Sequence, residues 1–412
     1  MRLPGLTLSI LIAALAAIAQ NQPVRSGIEV LRDRGFDILQ NKRVGLITNQ
    51  TAVDSRLAST VDILHRAAGV TLVALFGPEH GVRGDYAAGD KVESGTDART
   101  GLPAFSLYGK TQRPTKEMLA GIDVLVYDIQ DIGCRSYTYI STMGLAMEAA
   151  AENGIPFVVL DRPNPLGGIR IEGNNAEPGF FSLIGQFPIP YVYGLTSGEL
   201  ARLLNEEGML RGAARCSLTV VPMSGWKRSM TFAQTGLPWV PTSPHVPQAT
   251  TPPYYVATGV MGEIDGSMIG IGYTLPFELF VAEWIDPAAF TDSLNAANIA
   301  GVLFRPITIK PFYGSAQGKT LRGTHIHFTD LEKVNLLALQ FRIVEVHQRL
   351  YPDRDLFALG GGGRSGSFDR AAGTDVIRKE FSKRWFYGDI EGYLNKDVEK
   401  FRGVSAKYHL YK

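Results

Sequence analysis

The sequence predicts an α/β fold, in which a doubly wound parallel sheet is followed by a smaller mixed α/β domain. Short, continuous Val, Ile and Leu runs alternate with helical segments between residues 42 and 160. Such runs are typical of parallel strands that are covered on both faces. The composition then changes at residues 238–253, where six of sixteen residues are proline. We therefore expect a doubly wound domain at 26–253 and a C-terminal α/β domain at 254–412.

Each element has its own local signal. The four strands are apolar runs that end in polar loops, and they are residues 43–48, 70–76, 123–128 and 156–160. A capping box at Thr196-Ser197-Gly198-Glu199 opens one of the helices. The helices are segments with apolar residues at helical spacing, and they are residues 55–68, 141–153, 198–207, 332–350 and 376–386. The glycine run at residues 360–363 predicts a flexible loop.

The charge balance excludes one class of partner. Among 412 residues, Lys+Arg 41 stands against Asp+Glu 40, which gives a formal net charge of +1 at pH 7. A protein with this balance has no extended basic surface for a polyanion. We expect a soluble globular protein that binds no nucleic acid.

The first 19 residues read as a secretory signal peptide. Arg2 is their only charge, an apolar run extends from Leu6 to Ala19, and Ala17-Ile18-Ala19 fits an A-x-A cleavage site. A retained membrane anchor is the alternative, but the run is shorter than the roughly 20 residues that a membrane span needs. We expect signal cleavage, no stable membrane span afterwards, and a periplasmic or extracellular location.

Polar residues follow each predicted strand. Ligands of open parallel sheets bind outside the carboxyl ends of the strands, so these residues define a candidate site. They are Glu79, His80, Arg83, Asp128, Gln130, Asp131, Arg135, Asp161, Arg162 and Asn164.

Carboxylates in these loops suit general acid and base catalysis. Glu79 directly follows an apolar strand, where a helix cap or an ion pair with Arg83 is the structural alternative. Asp128 and Asp131 are candidates for the second carboxylate of a glycosidase pair. Their structural alternative is capping of the loop, and this alternative is favoured for Asp128 because it ends a strand.

The arginines and aromatic residues suggest a carboxylated or phosphorylated sugar. Arg83, Arg135 and Arg162 lie on three strand-end loops, and guanidinium groups bind carboxylates and phosphates through paired hydrogen bonds. Pairing with Asp131 or Asp161 is the alternative. Sugar-stacking platforms or core packing are both open for the aromatic residues, which are Tyr137, Tyr139, Tyr191, Tyr193, Trp226 and Trp239.

Neither a cofactor nor a metal is expected. No G-x-G-x-x-G opens a helix after the first strand, and residues 314–320 are one residue short of a P-loop. His325 and His327 share one strand face, but no third ligand is evident nearby, which favours a polar strand face. Cys134 and Cys216 are more consistent with two buried thiols than with a disulfide framework.

Taken together, these stretches resemble the exo-β-N-acetylmuramidase family of the NamZ type. The matching segments keep the family's order from Gly45 to the C-terminus, and they include GLITNQTAVD, LFGPEHGVRG, DVLVYDIQDIGCRSYTYISTM, VVLDRPNPLGG, PIPYVYGLTSGELA, FDRAAGTDVIR and YHLYK. The resemblance implies a Rossmann-like catalytic domain with a smaller α/β C-terminal domain. It also implies a hydrolase that releases non-reducing terminal N-acetylmuramic acid from peptidoglycan fragments during cell-wall turnover or recycling.

Site roles follow from the resemblance by position. Glu79 corresponds to the family's proposed catalytic carboxylate, and Asp131 is the expected catalytic partner. Residues expected to contact the substrate are His80, Arg83, Asp128, Gln130, Arg135, Tyr137, Arg162, Asn164 and Glu263. The lactyl carboxylate of N-acetylmuramic acid would give the arginines a ligand.

One region departs from the family pattern. Ile269 and Ile271 stand where the family has a glutamate and an arginine, and His245 replaces the asparagine of a usual S-P-N. Two hypotheses follow. The chain is an exo-acting glycosidase, or it is a cell-wall glycan-binding protein of the same fold that has lost catalysis.

Overall fold

The structure is a computed structural model that describes residues 23–86, 89–359 and 361–412. The predicted signal peptide at 1–19 lies outside the described residues. Within them, a large and mainly parallel sheet runs in the order β3-β4-β2-β1-β5-β6-β7. Its strands are β1 (Lys42–Thr48), β2 (Val70–Gly77), β3 (Gly95–Thr96), β4 (Pro103–Ser106), β5 (Val124–Asp128), β6 (Phe157–Leu160) and β7 (Leu218–Val221).

The four predicted strands are confirmed as β1, β2, β5 and β6. They are adjacent and parallel in the order β2-β1-β5-β6, and only the short edge strand β3 is antiparallel to its neighbour. β4 and β7 are not predicted from the sequence, because β4 contains no Val, Ile or Leu and β7 is a partly exposed strand interrupted by Thr219. The carboxyl ends of β1, β2, β5 and β6 therefore lie at one edge, as a ligand crevice requires.

Helices cover both faces of this sheet, which confirms the doubly wound architecture. Successive strand side chains point to opposite faces. Val124 and Val126 of β5 join the cluster that contains Ile28 and Leu64, from helices α1 (Gly27–Asp33) and α2 (Thr60–Arg66). Leu125 and Tyr127 join the opposite cluster. That second cluster includes residues of α3 (Thr138–Glu152) and α4 (Ser197–Glu206), and it continues into the C-terminal half.

Helix boundaries differ from the prediction where side chains cap turns. α2 begins at Thr60 and not at residue 55, because Asp54 Oδ1 accepts hydrogen bonds from the amides of Arg56 and Ala58, both at 2.9 Å. Those bonds hold a turn that a helix would break. The capping box of α4 is confirmed, since Glu199 N donates to Thr196 Oγ1 at 3.2 Å.

The C-terminal half contains a second, antiparallel sheet in the order β8-β10-β9. Its strands are β8 (Leu279–Ala282), β9 (Val302–Ile309) and β10 (Leu321–Phe328). Eight helices accompany them in the described residues: α5 (Thr251–Gly262), α6 (Pro287–Ala296), α7 (Leu336–Leu350), α8 (Leu356–Leu359), α9 (Gly361–Ala372), α10 (Val376–Arg384), α11 (Gly388–Asn395) and α12 (Val398–Ser405). None of the helices in the described part of the chain is long and apolar enough to cross a membrane.

Two loop predictions need correction. The proline-rich segment 238–253 ends inside α5, because Pro252 and Pro253 lie in its first turn. Backbone N–H groups there have no acceptor within the helix, so a proline loses no hydrogen bond. The sequence predicts a loop at the glycine run 360–363, yet Gly361–Gly363 open α9. Tertiary contacts outweigh the low helix propensity of glycine there, since Arg364 Nη1 donates to Ile264 O at 3.2 Å and Phe368 is fully buried.

The two histidines on β10 and the two cysteines are placed as follows. His325 and His327 lie on β10 with ring centroids 4.0 Å apart, and no group of three potential metal ligands occurs among the described residues. His325 Nε2 contacts Glu278 at 3.2 Å. Cys134 and Cys216 are both free and buried.

Candidate active site

Glu79 stands at the carboxyl end of β2 with its side chain only half-buried. β2 ends at Gly77, and Pro78 then separates the strand from Glu79. Thr138, the first residue of α3, donates through Oγ1 to Glu79 Oε2 at 3.0 Å, and Gly89 N donates to Oε1 at 3.3 Å. The carboxylate is oriented by neutral donors, and it has no ion-pair partner among the described residues. The predicted alternative of an ion pair with Arg83 is therefore not what the structure shows.

Phenol groups surround this carboxylate. Burial raises the pKa of Tyr108, and the neighbouring Glu79 carboxylate raises it further by charge and by hydrogen bonding. Burial also raises the pKa of Tyr137 and of Tyr139, with Glu79 adding to both. These hydroxyls stay protonated at neutral pH. The Tyr108 hydroxyl is hydrogen-bonded to Glu79, whereas those of Tyr137 and Tyr139 donate to Thr242.

His80 is held in a strained backbone conformation next to Glu79. Its φ of 72° lies in the left-handed region, which is uncommon for a residue with a side chain. The ring is buried, and Nδ1 lies 3.0 Å from Tyr86 O. Burial lowers the pKa of His245, and the charge of His80 lowers it further.

The three predicted arginines do not converge on a ligand. Arg83 binds Asp97 in paired fashion, Nε to Oδ1 at 2.8 Å and Nη2 to Oδ2 at 2.9 Å, and this pairing lowers the pKa of Asp97 to about 2. Arg162 forms a buried ion pair with Asp128. Protein acceptors already engage these guanidinium groups, and a shared anion-binding role stays a prediction.

Arg135 is a buried residue whose hydrogen bonds connect separate segments of the chain. It is 1 % exposed and donates to the backbone carbonyls of Asn174, Ile189, Ala371 and Ala372 at 2.6 to 3.1 Å. Burial lowers the pKa of Arg135 to about 10. Its side chain connects the loop after β5 to the end of α9, and a contact of Arg135 with substrate stays a prediction.

The two aspartates after β5 differ in environment. Asp128 is 0 % exposed and accepts from Arg162 and from Thr60 Oγ1 at 2.6 Å, and its contact with substrate stays a prediction. Asp131 accepts from Tyr193 Oη and from Gly133 N at 2.7 Å. Its Oδ1 atom is buried without a hydrogen-bond partner among the described residues. Burial raises the pKa of Asp131 to about 6.

Further predicted contact residues shape the loops. Gln130 Nε2 donates to Asp131 O at 2.8 Å and to Pro163 O at 2.7 Å. Asn164 accepts from Leu166 N and donates to Leu195 O, both at 2.9 Å. Tyr137 Oη donates to Thr242 Oγ1 at 2.7 Å, and its buried ring packs edge-on against Tyr139 and Tyr255. For the predicted aromatic platform, core packing is the observed outcome at Tyr137, Tyr139, Tyr191, Tyr193 and Trp226.

Glu263 brings a second carboxylate to the site from the other half of the chain. It caps the C-terminus of α5, and its side chain has no hydrogen-bond or ion-pair partner among the described residues. Burial raises the pKa of Glu263 to about 7. Arg370 and Arg364 oppose that shift, and Glu79 adds to it. The carboxylates of Glu79 and Glu263 are thus close enough to influence each other.

Sequence reasoning missed several residues of this site. Thr138 lies within DVLVYDIQDIGCRSYTYISTM and Tyr108 within TGLPAFSLYG, so both stood in matching segments without being singled out. Arg370 lies within FDRAAGTDVIR, so the motif was a signal, whereas Arg364 follows the glycine run that predicted a loop. Exposed aromatic rings also lie on the β9–β10 connection, where Phe312 is 56 % and Tyr313 is 41 % exposed. Tyr313 Oη lies 2.8 Å from His245 Nε2.

Comparisons with known proteins agree with this architecture. The family model of the N-terminal domain of exo-β-N-acetylmuramidase NamZ matches residues 44–250, and that of its C-terminal domain matches residues 254–411. The peptidoglycan β-N-acetylmuramidase NamZ of Bacillus subtilis is 43 % identical over 395 residues, which cover 95 % of this chain and 92 % of that protein.

Two solved structures have the same fold. Both are crystal structures of DUF1343 family proteins from Bacteroides fragilis. One has a TM-score of 0.91 at 52 % identity, and the other a TM-score of 0.72 at 27 % identity. Each comparison covers 95 % of this chain and 99 % of the other chain.

Proposed function

The chain belongs to the exo-β-N-acetylmuramidase NamZ family, and from this premise we propose that it is a glycoside hydrolase acting on peptidoglycan fragments. The proposed reaction releases N-acetylmuramic acid from the non-reducing end of muramic acid-containing glycans. One observation carries the proposal: Glu79 stands half-exposed at the carboxyl end of β2 with its carboxylate oriented by Thr138, and its charge acts on a second carboxylate, Glu263.

Two carboxyl groups in different environments are what glycoside hydrolysis needs. One group protonates the leaving oxygen while the other activates water or attacks the sugar. We propose Glu79 as one member of the pair. The sequence nominates Asp131 as the other, whereas the structure favours Glu263, because Asp131 is 5 % exposed with one carboxylate oxygen enclosed. The raised pKa of Glu263, about 7, suits a group that delivers a proton at neutral pH.

Three isosteric substitutions test this assignment on a chromogenic N-acetylmuramide. We expect Glu79→Gln to lower kcat by about 10²- to 10⁴-fold while the dissociation constant for N-acetylmuramic acid stays within threefold of the wild-type value. Glu263→Gln should lower kcat by a similar factor. Asp131→Asn should lower kcat by less than tenfold if Asp131 only stabilises its loop.

The outcome also separates hydrolase from binding protein. Wild-type protein that binds the sugar and releases no chromophore would overturn the proposed hydrolysis. The non-catalytic alternative has one observation in its favour, the isoleucines at positions 269 and 271. Ile269 is buried against Gly262, directly before Glu263. Hydrolysis gained only after Ile269→Glu and Ile271→Arg would favour this alternative.

We also propose that the protein is exported and acts in cell-wall turnover or recycling in the periplasm or outside the cell. Residues 1–19 support this through their single charge, apolar run and A-x-A site. Mass spectrometry of the mature protein should find an N-terminus near Gln20, and deletion of residues 2–19 should retain the protein in the cytoplasm. A mature protein that keeps Met1 would contradict cleavage.

A further inference from the structure

Two aromatic side chains, one from each half of the chain, lie side by side at the surface. They are His245, which precedes α5, and Tyr313, on the β9–β10 connection. Their rings are within 6° of parallel, their centroids are 6.0 Å apart, and His245 Nε2 lies 2.8 Å from Tyr313 Oη. Because these two close atoms lie on the outer edges of the two side chains, the rings are edge to edge and not face to face. The exposed ring of Phe312, with its centroid 5.4 Å from that of Tyr313, extends this aromatic surface.

Backbone contacts fix the β9–β10 connection that carries Tyr313. Phe312 N donates to Gly272 O at 2.9 Å. Gly272 has a φ of 98°, and an added Cβ atom there would lie only 2.4 Å from Tyr313 O. The glycine therefore allows the connection to pack closely against the loop that follows α5. That loop begins with Glu263, so Tyr313 is attached to the segment that carries the second candidate carboxylate.

A β-turn fixes His245 on the other side of the pair. Val246 N donates to Ser243 O at 3.0 Å, which closes a turn with Pro244 and His245 at its two central positions. A proline at the first central position favours such a turn, since its φ is already set. Ser243 and Val246 are buried, whereas Pro244 is exposed. The tip of the turn therefore presents the His245 ring from an anchored base.

The same turn is bound to the element that orients Glu79. Thr242 directly precedes the turn, and its Oγ1 accepts from Tyr137 Oη at 2.7 Å. Tyr137 is followed by Thr138, which donates to Glu79 Oε2 at 3.0 Å. Three residues along the chain span at most about 11 Å, so the Cα atom of His245 lies within that distance of Thr242. The aromatic pair is thus attached on one side to the start of α3, at the candidate catalytic carboxylate.

The pair depends on a residue that departs from the family pattern. The usual S-P-N has an asparagine at position 245, which has no ring to place beside Tyr313. Exposed apolar surface rimmed by polar groups marks ligand-binding sites, and Phe312 and Tyr313 are 56 % and 41 % exposed. Their backbone is already held in place, so a ligand can bind without the cost of ordering a loop.

We propose that Tyr313 and His245 bind the sugar on the leaving-group side of the scissile bond, a neutral N-acetylglucosamine unit. The proposal rests on the proposed function, because that reaction places the terminal sugar at Glu79 and leaves the next sugar outside the crevice. Glu79 is half-buried, so the sugar beyond the scissile bond lies toward solvent, where the aromatic pair is exposed. An aromatic face attracts the weakly polarised C–H groups of a pyranose ring and needs no charge on the ligand.

Equilibrium binding separates this subsite from the position of the terminal sugar. The protein is the full-length mature chain with Glu79→Gln, so that the ligands are not consumed. The ligands are N-acetylmuramic acid and the β-1,4-linked disaccharide of N-acetylmuramic acid and N-acetylglucosamine. We expect Tyr313→Ala to weaken disaccharide binding by about 5- to 20-fold and His245→Asn by about 3- to 10-fold, because aromatic contact area is lost. Binding of N-acetylmuramic acid should change by less than about twofold.

Two further variants separate the aromatic contact from a general disturbance of the surface. Tyr313→Phe keeps the ring, so its disaccharide affinity should stay within about threefold of that of the Glu79→Gln parent. Phe386→Ala is the matched control, since Phe386 is a 49 % exposed ring on the α10–α11 connection, and it should bind both ligands as the parent does. Equal weakening for both ligands, or unchanged disaccharide affinity in either Tyr313→Ala or His245→Asn, would overturn the subsite.

Hydrolysis of the same disaccharide by protein that retains Glu79 is measured separately, by chromatography of the released sugars. Binding that depends on Tyr313 in a protein that does not hydrolyse the disaccharide would overturn the proposed function alone. Hydrolysis with the same KM in wild type and Tyr313→Ala would overturn the subsite alone.

Discussion

Glu263 has its carboxylate in a setting that favours the protonated acid. Its side chain is mostly buried, has no hydrogen-bond partner among the described residues, and interacts with the Glu79 carboxylate. Burial of an ionised carboxylate without compensating hydrogen bonds costs stability. The ionised Glu263 carboxylate therefore lowers the stability of the folded protein, and unfolding experiments can measure this loss.

We expect Glu263→Gln to stabilise the protein at high pH and not at low pH. The folded pKa of Glu263, about 7, lies above the ordinary value of 4.5. The stability that comes with protonation is therefore complete below pH 4.5 and is lost as the pH rises through 7. The variant does not titrate, so its gain in unfolding free energy should be about 2 to 3 kcal/mol larger at pH 8 than at pH 4. Urea unfolding at both pH values measures it.

A matched carboxylate control is Glu399, whose side chain is 83 % exposed. Glu399→Gln should change the unfolding free energy by less than about 0.5 kcal/mol at either pH. A pH-independent effect of Glu263→Gln would show that Glu263 does not titrate as its burial implies.

At the scale of elements, α3 is the helix that most directly supports the site. It begins at Thr138, which orients Glu79, and its residues 138–150 are buried. Small side chains let other elements approach it closely. At Gly144, an added Cβ atom would overlap the Phe187 ring, which is itself buried. The helix is thus positioned by close packing and not by propensity.

We expect Gly144→Ala to lower the unfolding free energy by about 1 to 3 kcal/mol, because overpacking outweighs the roughly 1 kcal/mol that alanine gains in a helix. Gly392→Ala in α11 is the matched control, since no heavy atom lies within 4 Å of its added Cβ atom. That variant should gain about 0.5 to 1 kcal/mol. Equal effects in the two variants on urea unfolding would contradict close packing at α3.

At the scale of the whole molecule, the C-terminus packs against the large sheet. Tyr411 Oη donates to Asp161 Oδ2 at 2.6 Å and accepts from Met223 N at 2.9 Å, and the Trp226 ring packs edge-on against Tyr411. Leu410 N donates to Glu199 Oε1 at 2.8 Å, and Arg228 pairs with the same buried carboxylate. Family motifs that are distant in the chain thus form one polar network, which joins the two halves of the molecule.

We expect Tyr411→Phe to destabilise the protein by about 1 to 3 kcal/mol at pH 8, because buried Asp161 loses a donor while the ring volume is kept. Tyr408→Phe is the control, since the Tyr408 hydroxyl donates to Glu207, whose side chain is 28 % exposed. It should cost less than about 1 kcal/mol in the same thermal or urea unfolding experiment. A larger loss of unfolding free energy for Tyr408→Phe than for Tyr411→Phe would show that the Tyr411 network does not hold the C-terminus against the large sheet.

The sequence by itself determined the parallel strands, the polar loops at their carboxyl ends and the family. These depend on local hydrophobic patterns and ordered motifs, which read directly from the chain. Only the tertiary structure decided how the charged residues are used. Arg83, Arg135 and Arg162 bind internal acceptors, while Glu263 from the C-terminal half interacts electrostatically with Glu79. The physical reason is that a buried charge must find a partner in three dimensions, so contacts between distant segments fix which groups remain free for a ligand.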